Sequence, residues 1–375
     1  MPRMESPPGA ETVIDGRRYL YFAGTGYLGL QGHPAVIQAA CDAVTRYGVG
    51  SATSRPLAGD TPPVLEVERR AAEFLASESA FYCASGYLAP AVVTVLLAER
   101  VDRVFIDEHA HHSLRHAAML PGVPVHRFAH CDPAVLAAEL GARVTSEQRP
   151  LVMTDGVFSA LGTTAPLADY VGVLREYAGS MLLVDDAHGV GVLGGHGRGC
   201  VEYADLACVT TNTFDAAVPQ LWMCGTLSKA LGGFGGIVPG SREVIERIKA
   251  ATPFGAGASG PAVPVAAASA KALEVAAAQP ELRQRLRENV ARLKSGLRQL
   301  GFQVDATPVP IVALRFDTAE AMRHIQTALA ERGLWIAYLP AYSGVGPEGV
   351  LRLAVFATHA PEMIDQLLGE MQRVV

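Results

Sequence analysis

Short runs of β-branched and aliphatic residues alternate with helix-like segments through the middle of this 375-residue chain. Helical spacing is clearest at Gly86–Leu97 and Pro133–Leu140. The runs between such segments are almost wholly apolar: Arg103–Ile106, Leu151–Thr154, Met181–Val184, Leu221–Cys224 and Gly236–Val238. Strands that are apolar on both sides are covered on both faces, so the pattern predicts an α/β fold in which helices flank a mostly parallel sheet.

The two ends of the chain follow other patterns. Residues 1–10, rich in proline and glycine, are expected to form a flexible tail, and residues 48–62 a loop. Further elements are predicted as strands at Leu20–Phe22, Pro310–Arg315 and Leu351–Val355, and as helices at Pro34–Tyr47, Val64–Leu75, Val265–Ala278, Glu281–Leu300, Ala319–Arg332 and Pro361–Arg373. The predicted organisation is an N-terminal segment (1–47), a large domain (48–262) and a smaller C-terminal α+β domain (263–375).

Composition excludes several classes of protein. The 31 basic and 37 acidic residues give a net charge of −6, so no bulk attraction to nucleic acid is expected. Ala91–Ala98 is among the longest apolar stretches and is too short to span a bilayer, and residues 1–10 do not resemble a secretory signal. The six cysteines form no CxxC pair. These features predict a cytoplasmic protein with reduced thiols.

Polar residues follow one predicted strand at the point where it ends. Asp185 and Asp186 come directly after Met181–Val184, and His188 follows closely. In a parallel α/β sheet ligands bind at the carboxyl ends of the strands, where a buried carboxylate is stabilised by a cation. The alternative interpretation is an exposed turn with an aspartate cap.

Lys229 lies in a turn rich in threonine, serine and glycine that follows Leu221–Cys224. A lysine in an apolar, hydroxyl-lined site loses its proton more readily and can form a Schiff base. The neighbouring hydroxyls and backbone N–H groups can hold a phosphate. A lysine on a surface turn is the alternative.

The small-residue turn Ser85–Tyr87 opens a predicted helix, and a helix start favours an anion. The alternative there is a simple serine cap. A dense histidine run, Asp107–His116, raises the possibility of a transition metal. No accompanying Cys/His spacing matches a known structural site, so we expect no metal and a solvated loop with one functional imidazole.

Taken in order, these segments resemble the α-oxoamine synthases, which are pyridoxal-phosphate (PLP) enzymes of the fold-type I aminotransferase superfamily. The resemblance runs nearly from end to end. It rests on Tyr27–Leu30, Ser54-Arg55, Leu65-Glu66, Asp107–Ser113, Thr154–Ser159, Ala165–Leu167, Asp185–Gly191, Gly197–Gly199, Gly225–Gly233, Arg352 and Thr358-His359. It implies a fold-type I architecture and a homodimer with an interfacial active site.

The resemblance also implies roles for the cofactor-binding residues. Lys229 would carry PLP as a Schiff base, and Asp185 would pair with the ring nitrogen. His188 and Ser159 resemble the partners of the phenolic oxygen, and His111 resembles the histidine that stacks on the ring. The phosphate-binding positions of the family correspond to Ser85, Gly86, Tyr87, Thr226 and Ser228.

Substrate binding is less well matched. Arg352 resembles the arginine that binds the amino-acid carboxylate, where its fork suits the geometry. Thr25 replaces the usual asparagine of the family motif before Tyr27, and Ser343 is a further candidate. The usual Ser-Thr pair, thought to reach the partner's phosphate, is replaced by the region Gly255–Gly257.

The implied reaction condenses an amino acid with an acyl thioester, on CoA or a carrier protein, and releases CO₂ and an α-amino ketone. A PLP aminotransferase on the same fold is the nearest alternative, because it shares Lys229 and Asp185. His111 favours the synthase, since aminotransferases more often stack an aromatic residue there. A PLP-binding subunit without turnover is a third possibility, and the presence of both Lys229 and Arg352 argues against it.

Overall fold

The fold is described from a computed structural model that covers residues 2–206, 212–214 and 219–375. Cys208, one of the six cysteines, lies outside these residues. The strands are β1 (Glu11–Ile14), β2 (Arg17–Tyr21), β3 (Ser79–Cys83), β4 (Arg103–Asp107), β5 (Val125–Phe128), β6 (Pro150–Asp155), β7 (Met181–Asp185), β8 (Gln220–Thr226), β9 (Gly236–Gly240), β10 (Ile311–Leu314), β11 (Leu334–Trp335), β12 (Ala337–Leu339) and β13 (Val350–Ala354).

The helices of the same residues surround these strands. They are α1 (Pro34–Tyr47), α2 (Pro62–Leu75), α3 (Ala89–Leu97), α4 (His112–Ala117), α5 (Pro133–Arg143), α6 (Leu167–Leu174), α7 (Cys200–Tyr203), α8 (Arg242–Ala251), α9 (Pro253–Ala256), α10 (Val263–Ala278), α11 (Glu281–Gln299), α12 (Ala319–Glu331) and α13 (Pro361–Val374).

In the described part of the chain, seven strands form the large sheet in the order β3-β9-β8-β7-β6-β4-β5. All neighbours are parallel except those of β9, which runs against both β3 and β8. Successive residues such as Leu151 and Val152 point to opposite faces, and both are fully buried. The prediction of a mostly parallel sheet covered on both sides is therefore confirmed.

Two small sheets complete the fold. Strands β10, β13 and β12 form an antiparallel sheet near the C-terminus. Strand β2 pairs with β1 and also with β11, so the N-terminal strands join a strand from beyond residue 330. The predicted domain boundaries at residues 47 and 262 stay a prediction. No helix among the residues described is long and apolar enough to cross a membrane.

The N-terminal prediction was wrong. Residues 2–10 do not form a free tail but run beside β1, where the Glu5 N–H donates to the Val13 carbonyl at 2.8 Å. The Asp15 N–H donates to the Arg3 carbonyl at 3.0 Å, and Ala10 is buried. The proline and glycine content of this segment predicted a flexible chain, yet the residues between them still supply backbone N–H and C=O groups for strand pairing.

Candidate active site

A cavity of about 210 Å³ opens at the carboxyl ends of the central strands. Strands β6, β7 and β8 end there, and the turn after β3 closes one side. Its wall is formed by Ser85, Gly86, Tyr87, His111, Ser113, Asp155, Asp185, Ala187, His188, Thr226, Ser228, Lys229 and Phe234. The topology thus brings together residues that are far apart in sequence at the edge where α/β sheets bind ligands.

Lys229 follows β8 and directs its amine at a histidine. Its Nζ lies 2.8 Å from His188 Nε2. Burial lowers the pKa of Lys229 from 10.5 to about 8, and the nearby Asp185 and Asp155 carboxylates oppose this shift. About a tenth of the amine is therefore uncharged at pH 7, far more than for an ordinary lysine, and this form is able to act as a nucleophile or base.

A directional chain of hydrogen bonds sets the tautomer of His188. The Arg352 guanidinium can only donate, and its Nη2 lies 3.3 Å from Tyr27 Oη. Burial raises the pKa of Tyr27 to about 12, so Tyr27 stays protonated and its hydroxyl donates a hydrogen bond to His188 Nδ1 at 2.8 Å. Burial also lowers the pKa of His188 well below its usual value, so the ring is neutral. Its proton then resides on Nε2, facing Lys229.

Two buried carboxylates lie side by side beneath the cavity. The parallel register of β6 and β7 pairs Asp155 with Asp185. Burial raises the pKa of both, and Asp185 raises that of Asp155 further. Asp185 accepts hydrogen bonds from Ser113 Oγ at 3.3 Å and from the Ala187 N–H at 3.2 Å. The pair therefore favours a cation in the cavity.

His111 is held at the cavity wall by its neighbours. The backbone N–H of His111 donates to Asp155 Oδ2 at 2.8 Å, and the ring Nδ1 lies 2.8 Å from Ser113 Oγ. Burial, together with the positive charge of Lys229, lowers the pKa of His111 to about 4. The ring is thus neutral and fixed in orientation, as stacking against a flat ligand requires.

Three hydroxyls and a tight turn form the opposite wall. Thr226 Oγ1 lies 3.1 Å from Ser228 Oγ, and the Tyr87 N–H donates to Ser85 Oγ at 3.2 Å. A Cβ on Gly86 would lie only 2.5 Å from Thr226 Oγ1. Glycine therefore permits the turn after β3 to approach the turn after β8, which brings the hydroxyls close together.

Four of the predicted site residues do not line the cavity. Arg352 is buried behind Tyr27, and its Nε and Nη1 donate to the carbonyls of Ser159 and Gly24 at 2.8 and 3.0 Å. Ser159 thus contributes its backbone carbonyl to Arg352, and its predicted contact with the cofactor ring stays a prediction. Thr25 lies in the same turn as Gly24 and is partly buried.

Ser343 also departs from its expected place. Its hydroxyl donates to the carbonyls of His109 and Ala110 at 2.9 and 3.0 Å, and it accepts from Arg115 at 2.7 Å. It therefore braces the loop that carries His111 instead of facing the cavity, because three backbone and side-chain partners already occupy its oxygen.

Sequence reasoning missed four contributors to this site: Asp155, Tyr27, Ser113 and Phe234. Asp155 ends an apolar run just as Asp185 does, so the same rule would have found it. Tyr27 was quoted only as part of a motif. Its contact with His188 joins residues 161 positions apart, which no local pattern reveals.

Comparison with known proteins decides the family. The aminotransferase class I and II family matches residues 20–371. The 8-amino-7-oxononanoate synthase of Methylococcus capsulatus is 38% identical, over 99% of this chain and 93% of that protein. The one from Herminiimonas arsenicoxydans is 35% identical, over 98% and 93%. The chain belongs to the class I and II aminotransferase family.

Solved structures define its place within that family. The serine palmitoyltransferase of S. paucimobilis, solved with PLP, superposes with a TM-score of 0.90 at 28% identity, covering 100% of this chain and 92% of that one. The chain is thus an α-oxoamine synthase, a PLP-dependent enzyme that condenses an amino acid with an acyl thioester with loss of CO₂. The fold and cofactor implied by the sequence are confirmed.

The residues of the cavity fit PLP. The buried pair Asp155 and Asp185 faces the cavity, and a protonated ring nitrogen would supply the positive charge this pair favours. The amine of Lys229, whose pKa is lowered to about 8, suits an aldehyde, and the hydroxyls around Gly86 suit a phosphate. Each part of the cofactor therefore has a chemically matched partner in the cavity wall.

Proposed function

We propose that this synthase condenses alanine with a pimeloyl thioester, as its relatives named 8-amino-7-oxononanoate synthase do. One observation carries the proposal. Relatives with that name are similar over 98–99% of the chain at 32–38% identity, whereas the serine palmitoyltransferase structures are 28–29% identical. The atoms balance, because amino acid and thioester give an α-amino ketone, CO₂ and a free thiol.

PLP, when bound, withdraws electrons from the α-carbon of the amino acid that it carries. In our proposal Lys229 holds the cofactor and then, once freed by the incoming amino acid, accepts the α-proton on Nζ. The proton on His188 Nε2 faces Nζ, so His188 orients that amine and supports its uncharged state. Asp185 keeps the ring nitrogen protonated, which maintains the electron withdrawal.

The other walls position the cofactor. We propose that Ser85, Thr226 and Ser228, with the backbone of Gly86 and Tyr87, hold the phosphate, and that the neutral ring of His111 stacks on the cofactor ring. These assignments rest on the hydroxyl cluster and on the fixed orientation of His111. Both walls also exclude water from the amine between them.

Carboxylate recognition is proposed for Arg352. Its guanidinium is buried and bonded to Ser159, Gly24 and Tyr27, so a substrate carboxylate would exchange for one of these acceptors. Thr25 in the same turn offers a smaller polar contact than a carboxamide. We expect Arg352→Lys to raise the KM for the amino acid more than it lowers kcat, because a point charge replaces a bidentate fork.

A second subunit is also proposed to cover the cavity. Tyr87 and Phe234 line it and yet are 41% and 53% exposed. Large apolar rings beside a buried amine support a homodimer with an interfacial site. Cytoplasmic location stays a prediction.

The experiment is thioester-dependent CO₂ release by the holoenzyme, using carboxyl-labelled glycine, alanine and serine with pimeloyl-CoA or palmitoyl-CoA. We expect alanine with pimeloyl-CoA to release one CO₂ for each free thiol. A clear preference for serine with palmitoyl-CoA would contradict the proposed substrates while leaving the synthase chemistry intact. Formation of a keto acid without any thioester would instead favour an aminotransferase.

A further inference from the structure

A second cluster of chemically active side chains lies beside the cavity, at the outer edge of the large sheet. Asp107 ends β4, and His130 and Cys131 follow β5, the adjacent parallel strand. One ligand atom from each of the three lies within 4.8 Å of the others. Asp107 is buried, whereas His130 and Cys131 are partly exposed, so the cluster is open to small ions.

The distances within the cluster fit tetrahedral coordination. His130 Nε2 lies 3.6 Å from Cys131 Sγ and 3.1 Å from Thr163 Oγ1, and Cys131 Sγ lies 3.7 Å from the Thr164 carbonyl oxygen. Ligands bound to zinc at about 2.0–2.3 Å with tetrahedral angles lie roughly 3.3–3.6 Å apart. The spacing of His130 Nε2 from Cys131 Sγ and from Thr163 Oγ1 is therefore close to the spacing between two ligands of one zinc ion.

The other ring nitrogen of His130 has the partner that metal-binding histidines have. Asp107 Oδ1 lies 3.0 Å from His130 Nδ1, so the carboxylate fixes the ring with Nε2 directed away from it. Asp107 is fixed in turn, because its oxygens accept from the N–H groups of His109 and Cys131 at 2.8 and 2.9 Å. A carboxylate–histidine pair of this kind orients the ligand and increases its basicity.

A buried polar group without a hydrogen-bond partner supplies an independent observation. Tyr170 is fully buried, and its hydroxyl is unpaired within the described structure. Its ring packs edge-to-face against Phe128, the last residue of β5, with ring centroids 5.6 Å apart, so Tyr170 lies beside the strand that leads into His130 and Cys131. An unpaired buried hydroxyl costs free energy, and a metal-bound water would satisfy it.

The same alignment of thiol, imidazole and carboxylate could instead activate Cys131 as a nucleophile. The geometry argues against this alternative. The Asp107 carboxylate accepts from the Cys131 N–H at 2.9 Å and lies 3.0 Å from His130 Nδ1, so an acidic group already lies beside this cysteine and histidine. A neighbouring carboxylate disfavours a free thiolate but favours a cation bound together with the thiolate.

We propose that Cys131 Sγ and His130 Nε2 bind a Zn²⁺ ion, with Asp107 holding the imidazole and Thr163 completing the site with solvent. The sequence predicted no metal, because the histidine run after β4 has no metal-ligand spacing, whereas the cluster after β5 forms only when β4 and β5 pair and bring Asp107 to His130 and Cys131. The ion would link the loop after β5 to the segment at 163–164 through Thr163. Zinc binding would be separate from the condensation reaction, so this proposal does not depend on which substrates the enzyme uses.

The test is titration of untagged holoenzyme with Zn²⁺ by calorimetry and with Co²⁺ by visible spectroscopy. We expect one Zn²⁺ per chain, a raised unfolding temperature, and the intense long-wavelength bands of tetrahedral cobalt with a thiolate ligand. Cys131→Ser should remove the cobalt bands and weaken Zn²⁺ binding about 100-fold, a loss typical of disrupted metal sites.

Cys41→Ser is the matched control, because Cys41 is an exposed free thiol. It should bind both metals as the wild type does. Cys131→Asn provides a second variant should the serine variant fold poorly. Absence of binding by the wild type, or binding that is equal in the wild type and the Cys131 variants, would overturn the proposal.

Discussion

The four lysines of this chain divide into two groups that differ in their partners. Lys249, Lys271 and Lys294 form ion pairs with Glu68, Glu274 and Asp305 at 2.7, 2.8 and 2.7 Å. Lys229, by contrast, has no carboxylate within 4.0 Å among the described residues, and its amine faces a neutral histidine.

Lys229 and Lys294 give the most informative comparison, because burial alone does not explain the difference in their reactivity. Lys294 is the more buried, with a side chain only 2% exposed. Its ammonium bonds to Asp305 and also to the carbonyl and hydroxyl of Thr307 at 2.8 and 3.0 Å. Burial lowers the pKa of both lysines, but at Lys294 the bound Asp305 carboxylate opposes the shift directly. Reactivity therefore depends on burial in the absence of an ion-pair partner, since burial lowers the pKa and a bound carboxylate opposes that shift.

Removing the unpaired lysine gives the largest expected effect. Lys229→Ala should abolish condensation, because Lys229 is the only lysine among the described residues that line the cavity, and should eliminate any linkage to PLP that borohydride can reduce. Activity assays and absorbance of the reduced, denatured protein measure the two outcomes.

Lys294→Met is the control for that variant. It should keep activity and the reducible linkage while lowering the free energy of unfolding by about 1–3 kcal/mol, since buried hydrogen bonds are lost and Asp305 remains hydrated. Loss of the linkage in Lys294→Met would break the comparison between the two lysines.

The charge of the buried carboxylate pair gives the next effect. Asp185→Asn should lower kcat/KM by about 10²–10³-fold, the usual cost of losing one fixed electrostatic partner at a reacting centre. Asp365→Asn removes an exposed carboxylate that pairs with Arg292 and should change nothing. Equal rates for wild type and Asp185→Asn would contradict a role for this carboxylate at the ring nitrogen.

The pH dependence of cofactor capture sharpens the comparison further. The neutral amine is the reactive form, and burial lowers the pKa of Lys229 to about 8. The rate at which cofactor-free protein captures PLP should therefore rise with pH, with a midpoint near 8, and level off above it. A midpoint near 10.5, the ordinary lysine value, would contradict the lowered pKa of Lys229.

The smallest effect is expected for the hydrogen-bond chain behind His188. Tyr27→Phe should lower kcat about tenfold, the equivalent of one hydrogen bond of about 1.4 kcal/mol. Without the Tyr27 donor the His188 ring can present an acceptor to Lys229, so the midpoint of PLP capture should move upward. Tyr338→Phe, which loses an exposed hydroxyl bonded to Glu348, should leave both measurements unchanged.

Much of the sheet could be predicted from the sequence, because a strand buried on both faces must be apolar throughout. The bounds of α1, Pro34–Tyr47, were predicted correctly, since a proline marks its start and a glycine follows its end. Strand β5, Val125–Phe128, was missed. It lies at the sheet edge, where His126 and Arg127 are tolerated and no apolar run is needed.

Site residues could be predicted from the sequence only where they directly follow an apolar strand. Lys229 and Asp185 follow apolar runs, so their chemistry was visible locally. The links from Arg352 through Tyr27 to His188 depend on contacts between residues 325 and 161 positions apart. The positions of Ser159 and Ser343 depend on backbone partners in the same way, and residue type alone does not specify them.

The central claim is that the unpaired lysine carries the cofactor, and borohydride reduction of the holoenzyme followed by peptide mapping tests it most directly. With four lysines in the chain, the result is unambiguous. The account predicts that the reduced PLP adduct lies on the peptide containing Lys229. An adduct on Lys249, Lys271 or Lys294 would contradict it.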